Sequence, residues 1–438
     1  MKYSIVTFGC RVNQADSLQI EKQLLARGGV PSPAADAELV VVNTCSVTAS
    51  ADQGARQTIR RIARDNPRAE VVVTGCYATR RPDELHALPN VVRVVRNHEK
   101  DWLVQTTADR FGDGPGACGA AIQPGVAGRT AFTLRVQTGC EEHCSYCIIP
   151  TTRGAGRSMP IADVLREVGR IAAAGFKEIA LTGVHLGSYG RDLTPAASLA
   201  GLLHALDGCT ADVTFRISSL EPMDCTPDIV ALVGRSQGRF APHFHLPLQH
   251  ASDRMLRLMQ RPYSLDDYRR LVDAIADALP HASIGSDMIV GFPGESDEDF
   301  QANLEYLPRC PLSHIHVFPY SDRPGTAASA MTEKVDGAII RARGARLRAI
   351  GADLSRRFRE AQTGSIRPGL TLEDGTLVVT DNYLKVRIPP GLERNRRVAV
   401  LLGRDSAAIV PVLRRGTGDQ EATRTGELLL NSRSSDLL

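Results

Sequence analysis

Gly139-Cys140-Glu141-Glu142-His143-Cys144-Ser145-Tyr146-Cys147 puts three cysteines on one short loop in the spacing C-x3-C-x2-C. Thiolates are favoured ligands of iron–sulfur clusters, and three of them leave one iron of a [4Fe–4S] cluster free to bind a small molecule. With an aromatic residue just before the last cysteine, the expected molecule is S-adenosylmethionine. Its reductive cleavage yields a 5′-deoxyadenosyl radical. Half of a zinc site is the competing interpretation. Structural zinc takes four ligands, usually as paired C-x2-4-C knuckles, and His143 adjoins Cys144, so its ring would point away from a shared metal. The flanking Gly139, Glu141 and Glu142 read as loop, not as a buried segment carrying three incidental thiols.

Around this loop the chain alternates strand-like and helix-like segments. Candidate strands are Phe132–Gln137, Glu178–Thr182, Val213–Ser218, His243–Leu248, Ser283–Val290 and His314–Pro319, with helical patterning in Ala162–Ala173 and Leu265–Ala278. Six such units predict an open, partial (βα)6 barrel over 130–355, with its chemistry at the C-terminal strand ends. Before it, the β-branched runs Tyr3–Phe8, Glu38–Val42, Glu70–Thr74 and Val91–Val95 have the length of buried parallel strands, and Ser17–Ala26 suits a packed helix. Residues 1–105 therefore read as a doubly wound α/β domain. Residues 106–129, rich in Gly, Ala and Pro from Phe111 onward, read as a linker. After the barrel, short β-prone runs at Leu370–Leu372, Leu377–Thr380, Leu384–Ile388, Val398–Leu402 and Ala408–Leu413 predict a small all-β unit over 356–418, a five-stranded barrel. Residues 419–438 are expected to be a disordered tail.

Bulk composition narrows the class. The chain has 438 residues, room for two or three domains. Its 43% hydrophobic and 23% charged content is that of an ordinary soluble protein. A net charge of +3 is too small to establish a nucleic-acid partner. The N-terminus enters a strand directly, with no signal peptide, and no stretch approaches about 18 apolar residues, so no membrane partner is expected. Ten cysteines without the density of a secreted scaffold point to a reducing, cytoplasmic location.

Three further cysteines share a topological position. Cys10, Cys45 and Cys76 each follow a candidate strand of the first domain, and in a doubly wound sheet those C-terminal ends converge on one crevice. Together they would hold a second cluster, with Asn13, Gln14, Asn43, Thr44 and Thr74 as neighbouring hydrogen-bonding groups. Taken singly, each is a small buried hydrophobe, the usual state of a free cysteine. Cys118, Cys209, Cys225 and Cys310 show no such convergence and read as structural or incidental.

With both cysteine sets in view, the chain resembles the radical-SAM methylthiotransferases along nearly its whole length. The matching stretches are TFGCRVNQADS (Thr7–Ser17), VNTCSVT (Val42–Thr48), TGCY (Thr74–Tyr77) and GCEEHCSYCIIPTTRGAGR (Gly139–Arg157). They continue with LTGVHLGSYG (Leu181–Gly190), RISSLEP (Arg216–Pro222), IVGFPGE (Ile289–Glu295) and HVFPY (His316–Tyr320). The resemblance implies an N-terminal methylthiotransferase domain, a radical-SAM barrel and a C-terminal TRAM domain. It also implies S-adenosylmethionine and two [4Fe–4S] clusters, one on Cys10, Cys45 and Cys76 and the other on Cys140, Cys144 and Cys147.

GCRVNQ, TGVHLGSYG and TDNYLKVRI (Thr380–Ile388) look most like the branch acting on N6-threonylcarbamoyladenosine at position 37 of tRNA. The other branches act on isopentenyladenosine tRNA or a ribosomal protein. One departure is Gln249-His250-Ala251, where many relatives have Ser-Gly after the glutamine. The implied reaction replaces the adenosine C2 hydrogen by methylthio. One S-adenosylmethionine methylates sulfur at the auxiliary cluster, and a second yields the hydrogen-abstracting radical. A side-chain base would not remove so weak an acid, so no Ser/His/Asp machinery is expected. The implied partners are a tRNA anticodon stem-loop and an electron donor of flavodoxin or ferredoxin type. A redox-sensing, non-enzymatic RNA-binding protein is the alternative of a different class.

Strand-end positions nominate contacts to S-adenosylmethionine: Tyr146 near the adenine, Gly183, Gly291 and Gly294 for close backbone approach, and Ser218, Glu221 and Gln249 for ribose or amino groups. Each is also an ordinary turn or cap residue. From Asp353 to Gly418, 12 Lys and Arg stand against 7 acids. On charge alone this is either a solvated surface or a phosphate-contacting one. Tyr383 beside Lys385 and Arg387 offers a stacking-plus-phosphate surface, and the TRAM resemblance implies tRNA binding there.

Overall fold

Runs of valine build the first sheet. In the computed structural model, which describes residues 1–106, 123–124, 130–404 and 407–410, Val40–Val42 and Val71–Val73 are buried on both faces. The strands are β1 (Lys2–Thr7), β2 (Val30–Pro31), β3 (Leu39–Thr44), β4 (Glu70–Gly75) and β5 (Val91–Val95). They are all parallel, in the order β2-β1-β3-β4-β5. This is a doubly wound order whose switch point lies between β1 and β3. Helices α1 (Arg11–Ala26), α2 (Ala49–Asp65), α3 (Cys76–Arg80), α4 (Pro82–His86) and α5 (Leu103–Thr106) connect and cover it. Helix α1 begins six residues before the apolar period predicts, because its first turns bury the polar Asn13 and Asp16 beside Val12 and Ala15. Hydrophobic patterning is blind to such a start.

The barrel follows. Strand β6 (Phe132–Arg135) leads to a ribbon in which β7 (Gln137–Thr138) pairs antiparallel with β8 (Arg157–Ser158). That ribbon closes the base of the cysteine loop, which ends in α6 (Ile149–Arg153). The remaining units are α7 (Ile161–Ala173), β9 (Glu178–Thr182), α8 (Leu199–Asp207), β10 (Thr214–Ile217), α9 (Pro227–Arg235) and β11 (His243–His245). They continue through α10 (Asp253–Leu258), α11 (Leu265–Ala278), β12 (Ser283–Val290), α12 (Asp297–Tyr306) and β13 (His314–Pro319) to the long α13 (Gly337–Ala361). The strands form two parallel sheets, β10-β9-β6 and β11-β12-β13, and Phe240, just before β11, bridges to Phe215 of β10. Strand β11 stops short of the expected Leu248 because Pro247 has no N–H to give the ladder.

Ile179, Leu181, Phe215, Phe244, Ile284 and Met288 pack one face of these sheets against Leu202, Leu206, Val272, Ile275 and Leu347 of the surrounding helices. Leu18 of α1 belongs to the same core, so the first sheet and the barrel share packing.

The chain divides into two compact units at Phe358/Arg359. In the second, β14 (Ile366–Leu372), β15 (Leu377–Thr380), β16 (Lys385–Arg387), β17 (Arg397–Leu402) and β18 (Ala407–Val410) pair antiparallel in the order β16-β15-β14-β17-β18. Val378, Val386, Val400 and Leu402 form its core. This curled antiparallel sheet accords with a small β TRAM domain. Residues 411–413 of the expected last strand, Cys118, most of the expected linker and the tail 419–438 lie outside the described residues. Among the described residues, no helix is long and apolar enough to cross a membrane.

Candidate functional site

The ladder aligns Thr7 with Asn43 and Asn43 with Thr74, so β1, β3 and β4 end level with one another. Just beyond those ends stand Cys10, the N-cap of α1, then Cys45, and Cys76, the first residue of α3. Two glycines let the turns close. Gly9 has φ +88°, and a Cβ there would sit 2.5 Å from Cys45 Sγ. Gly75 has φ +103°, and a Cβ there would sit 2.2 Å from the Thr44 carbonyl. Burial pushes the Cys45 thiol up to about 12; the Val47 N–H opposes this, and Cys10 and Cys76 add to it as neighbouring negative charges. Three thiolates so placed repel one another unless a cation lies among them, which suits the ligand set of an iron–sulfur cluster. Cys45 and Cys76 are buried and Cys10 is exposed, leaving one side of the triad open.

Asn13, Asn43 and Thr44, expected as tuning groups, bond backbone around the triad, and the amide oxygens of Asn13 and Asn43 accept from Arg153 and Lys100. Asn13 Nδ2 donates to the Phe8 and Thr44 carbonyls, Asn43 Nδ2 to that of Asn13, and Thr44 Oγ1 to that of Thr74. Thr74 Oγ1 has no hydrogen-bond partner. The thiols receive other donors: Val47 N to Cys45 Sγ and Asn97 Nδ2 to Cys76 Sγ, each at 3.5 Å.

The second triad sits on the loop between β7 and α6. Gly139, at φ +77°, packs so closely that a Cβ would lie 1.9 Å from the Ala155 carbonyl. Ser145 pins the loop to the end of α10, with its N–H on the Met259 carbonyl and its hydroxyl on that of Leu258. Burial pushes the Cys147 thiol up to about 12, the Ile149 N–H opposing it and Cys144 and Cys140 adding to it. Glu142 N donates to Cys140 Sγ at 3.4 Å and Arg261 Nη1 to Cys144 Sγ at 2.9 Å. The same guanidinium bonds Glu221, so Glu221 is held at the triad by an ion pair.

Of the other nominated residues, Tyr146 packs with Met255, Met259, Phe292 and Tyr320 beside the loop. Ser218 is buried, with no partner for its hydroxyl. Gln249 is in the left-handed region at φ +71°, bonded to the Asp287 carbonyl at 2.9 Å. Gly183 and Gly291 also clear protein neighbours, since a Cβ would meet Gln137 Oε1 at 2.9 Å or Ile340 Cγ1 at 2.3 Å. Gly294 bonds the Glu333 carbonyl. In the divergent loop, His250 is fully buried between Glu295 and Asn303, at 3.1 and 2.9 Å. In the second unit, Lys385 and Arg387 lie exposed on one face of β16, and Tyr383 is exposed in the turn before it.

Several residues at the site escape sequence reasoning because their partners are remote in the chain. His185 Nε2 lies 2.8 Å from Asp224 Oδ2. Burial opposes charge on His185, but Asp224 and Cys140 raise its pKa to about 9. Arg153, just after the loop, reaches Asp16 of α1. Asn97 touches both halves: besides Cys76 Sγ, its amide donates to the Thr152 carbonyl in α6 at 2.9 Å. One side chain therefore spans from a thiol of the first triad to the helix leaving the second.

Comparison with known proteins adds a context. Residues 2–96 match a family described as uncharacterized protein family UPF0004, and residues 134–307 match the Radical SAM superfamily. The threonylcarbamoyladenosine tRNA methylthiotransferase MtaB of Aquifex aeolicus is 36% identical, over 92% of this chain and 100% of that protein. The tRNA-2-methylthio-N(6)-dimethylallyladenosine synthase of Sphingopyxis alaskensis is 34% identical, over 83% and 84%. Among solved structures, the radical S-adenosylmethionine methyltransferase TsrM of Kitasatospora setae, with cobalamin and a [4Fe–4S] cluster bound, superposes with a TM-score of 0.53. It covers 75% of this chain and 76% of that one at 15% identity, a likeness of fold.

Proposed function

This chain belongs to the radical-SAM methylthiotransferases, and we propose that it converts N6-threonylcarbamoyladenosine at position 37 of tRNA to its 2-methylthio derivative. Enzymes of this type use S-adenosylmethionine and [4Fe–4S] clusters; when bound, these supply the radical and the methylthio group. The assignment of residues is our own. Cys10, Cys45 and Cys76 hold the auxiliary cluster, and Cys140, Cys144 and Cys147 the radical one. Arg261 offsets negative charge at Cys144 and orients Glu221, which with Ser218 and Gln249 binds the polar groups of S-adenosylmethionine. Tyr146 and its apolar neighbours keep water from the adenine side. Lys385 and Arg387 contact phosphates of the anticodon stem-loop and Tyr383 stacks on an unpaired base. The working location is the cytoplasm, with a small flavodoxin- or ferredoxin-type protein as electron donor.

Asn97 carries this interpretation. A side chain bonded to Cys76 Sγ and to the Thr152 carbonyl ties a thiol of the first triad to the helix that follows the second, which supports a reaction joining a radical to a sulfur donor. The test is nucleoside analysis of tRNA from a deletion strain. Loss of 2-methylthio-threonylcarbamoyladenosine, restored by the gene, is the expected outcome. Loss of the isopentenyl derivative instead would move the assignment to the sister branch, to which the 34% identical synthase belongs. Intact methylthiolation of both would reject it.

A further inference from the structure

We propose that His245, Asp287 and His316 form a binding site for one divalent first-row metal ion, built without any of the six triad cysteines. The three residues come from the adjacent strands β11, β12 and β13, in a register that pairs Asp287 with His316 and His245 with Gly285. Their ligand atoms all lie within 4.8 Å of one another. Residues alternate along a strand, and here Phe244, Ile284 and Met288 take the face packed into the helical core. The two imidazoles and the carboxylate take the other, where all three keep solvent access.

The donor chemistry is selective. Two imidazoles with one carboxylate suit manganese, iron, cobalt or zinc, whereas magnesium and calcium prefer all-oxygen sites. His245 Nε2 is 3.1 Å from Asp287 Oδ1, the spacing of neighbouring ligands around a metal about 2.1 Å from each. Its other nitrogen, Nδ1, is bonded to Ser219 Oγ at 3.1 Å. Metal-ligating histidines are oriented in this way by a partner on the second ring nitrogen. His316 completes the set, its ligand atom within 4.8 Å of the other two. Space for imidazole on this face is written into the backbone: at Gly285 a Cβ would lie 2.3 Å from the ring of His314. Three protein ligands leave positions for water or an anionic oxygen donor. Because Gln249 N bonds the Asp287 carbonyl, such a donor would be bound next to the strand end that carries Gln249.

The alternative is a simple Asp287–His245 hydrogen bond on a wet face, with His316 a bystander. Titration of the full-length, cluster-loaded protein with Mn(II), followed by the EPR signal of the free aqua ion, separates the two. The expected result is one bound Mn(II), displaced by Zn(II), with at least tenfold weaker binding in Asp287→Asn and in His316→Gln while both variants keep their iron. Pulsed EPR of wild type should show nitrogen coupling from imidazole, a readout that needs no variant. Absence of Mn(II) uptake, absence of that coupling, or unchanged affinity in both variants would overturn the proposal. None of these outcomes depends on which nucleoside the enzyme modifies.

Discussion

Arg153 Nη2 lies 3.0 Å from Asp16 Oδ2, joining the helix that leaves one cysteine triad to the helix that opens at a cysteine of the other. Asp16 also takes Lys100 Nζ at 2.9 Å and the guanidinium of Arg135. Its side chain is fully buried, as nearly are those of Lys100 and Arg153. Asp16→Asn would strand buried cations without their counter-charge, a loss of about 3–5 kcal/mol. The thermal midpoint of the variant should fall by several degrees, and both clusters should become harder to load.

The same carboxylate sets an acid limit. Burial would raise its pKa, but Lys100, Arg153 and Arg135 hold it well below the usual carboxylate range. A folded pKa depressed below an unfolded value of about 3.9 stabilises the fold above that pH, and the stabilisation is lost as pH falls below it. Unfolding of the cluster-free chain should therefore show an acid-induced loss of stability below about pH 4 that is smaller in Asp16→Asn, where only the other depressed carboxylates, Asp299 among them, contribute.

Gly9 has neither room for a side chain nor a backbone conformation that suits one. Gly9→Ala should displace Cys45 and remove the auxiliary cluster alone. Iron analysis after anaerobic reconstitution should fall from about eight to about four per chain, with the visible spectrum of the other cluster intact.

Cys10→Ala and Cys144→Ala should fail differently. The first is expected to cleave S-adenosylmethionine to 5′-deoxyadenosine yet transfer no sulfur; the second should form no 5′-deoxyadenosine. Methylthiolated tRNA from the Cys10 variant would remove that residue from the auxiliary site.

For RNA, Lys385 and Arg387 should act as phosphate contacts. The double alanine variant should bind tRNA more weakly across all sequences. The slope of log affinity against log salt should shrink by about 2 in filter-binding titrations.

What was legible in the sequence follows from the range of the interactions. The C-x3-C-x2-C loop and the valine runs are local, and local patterns report them. Cys10, Cys45 and Cys76 are legible through topology, since equal positions after parallel strands bring them to one sheet edge. Arg261 is 117 residues from Cys144, and Asn97 is 55 from Thr152. Nothing in either neighbourhood marks the pairing, because the partner exists only after the barrel has closed. The early start of α1 was hidden for a related reason: Asn13 and Asp16 look like surface residues until their bonding partners arrive.

That delay also orders events during synthesis. Asp16 leaves the ribosome 137 residues ahead of Arg153, and its remaining cations come from positions 100 and 135. The first sheet, whose last strand ends at Val95, therefore emerges with an incompletely neutralised carboxylate, and waits for the ribbon and α6 to follow. The tie between the two triads is thus the last part of the first domain to be made, long after its own three cysteines have left the ribosome.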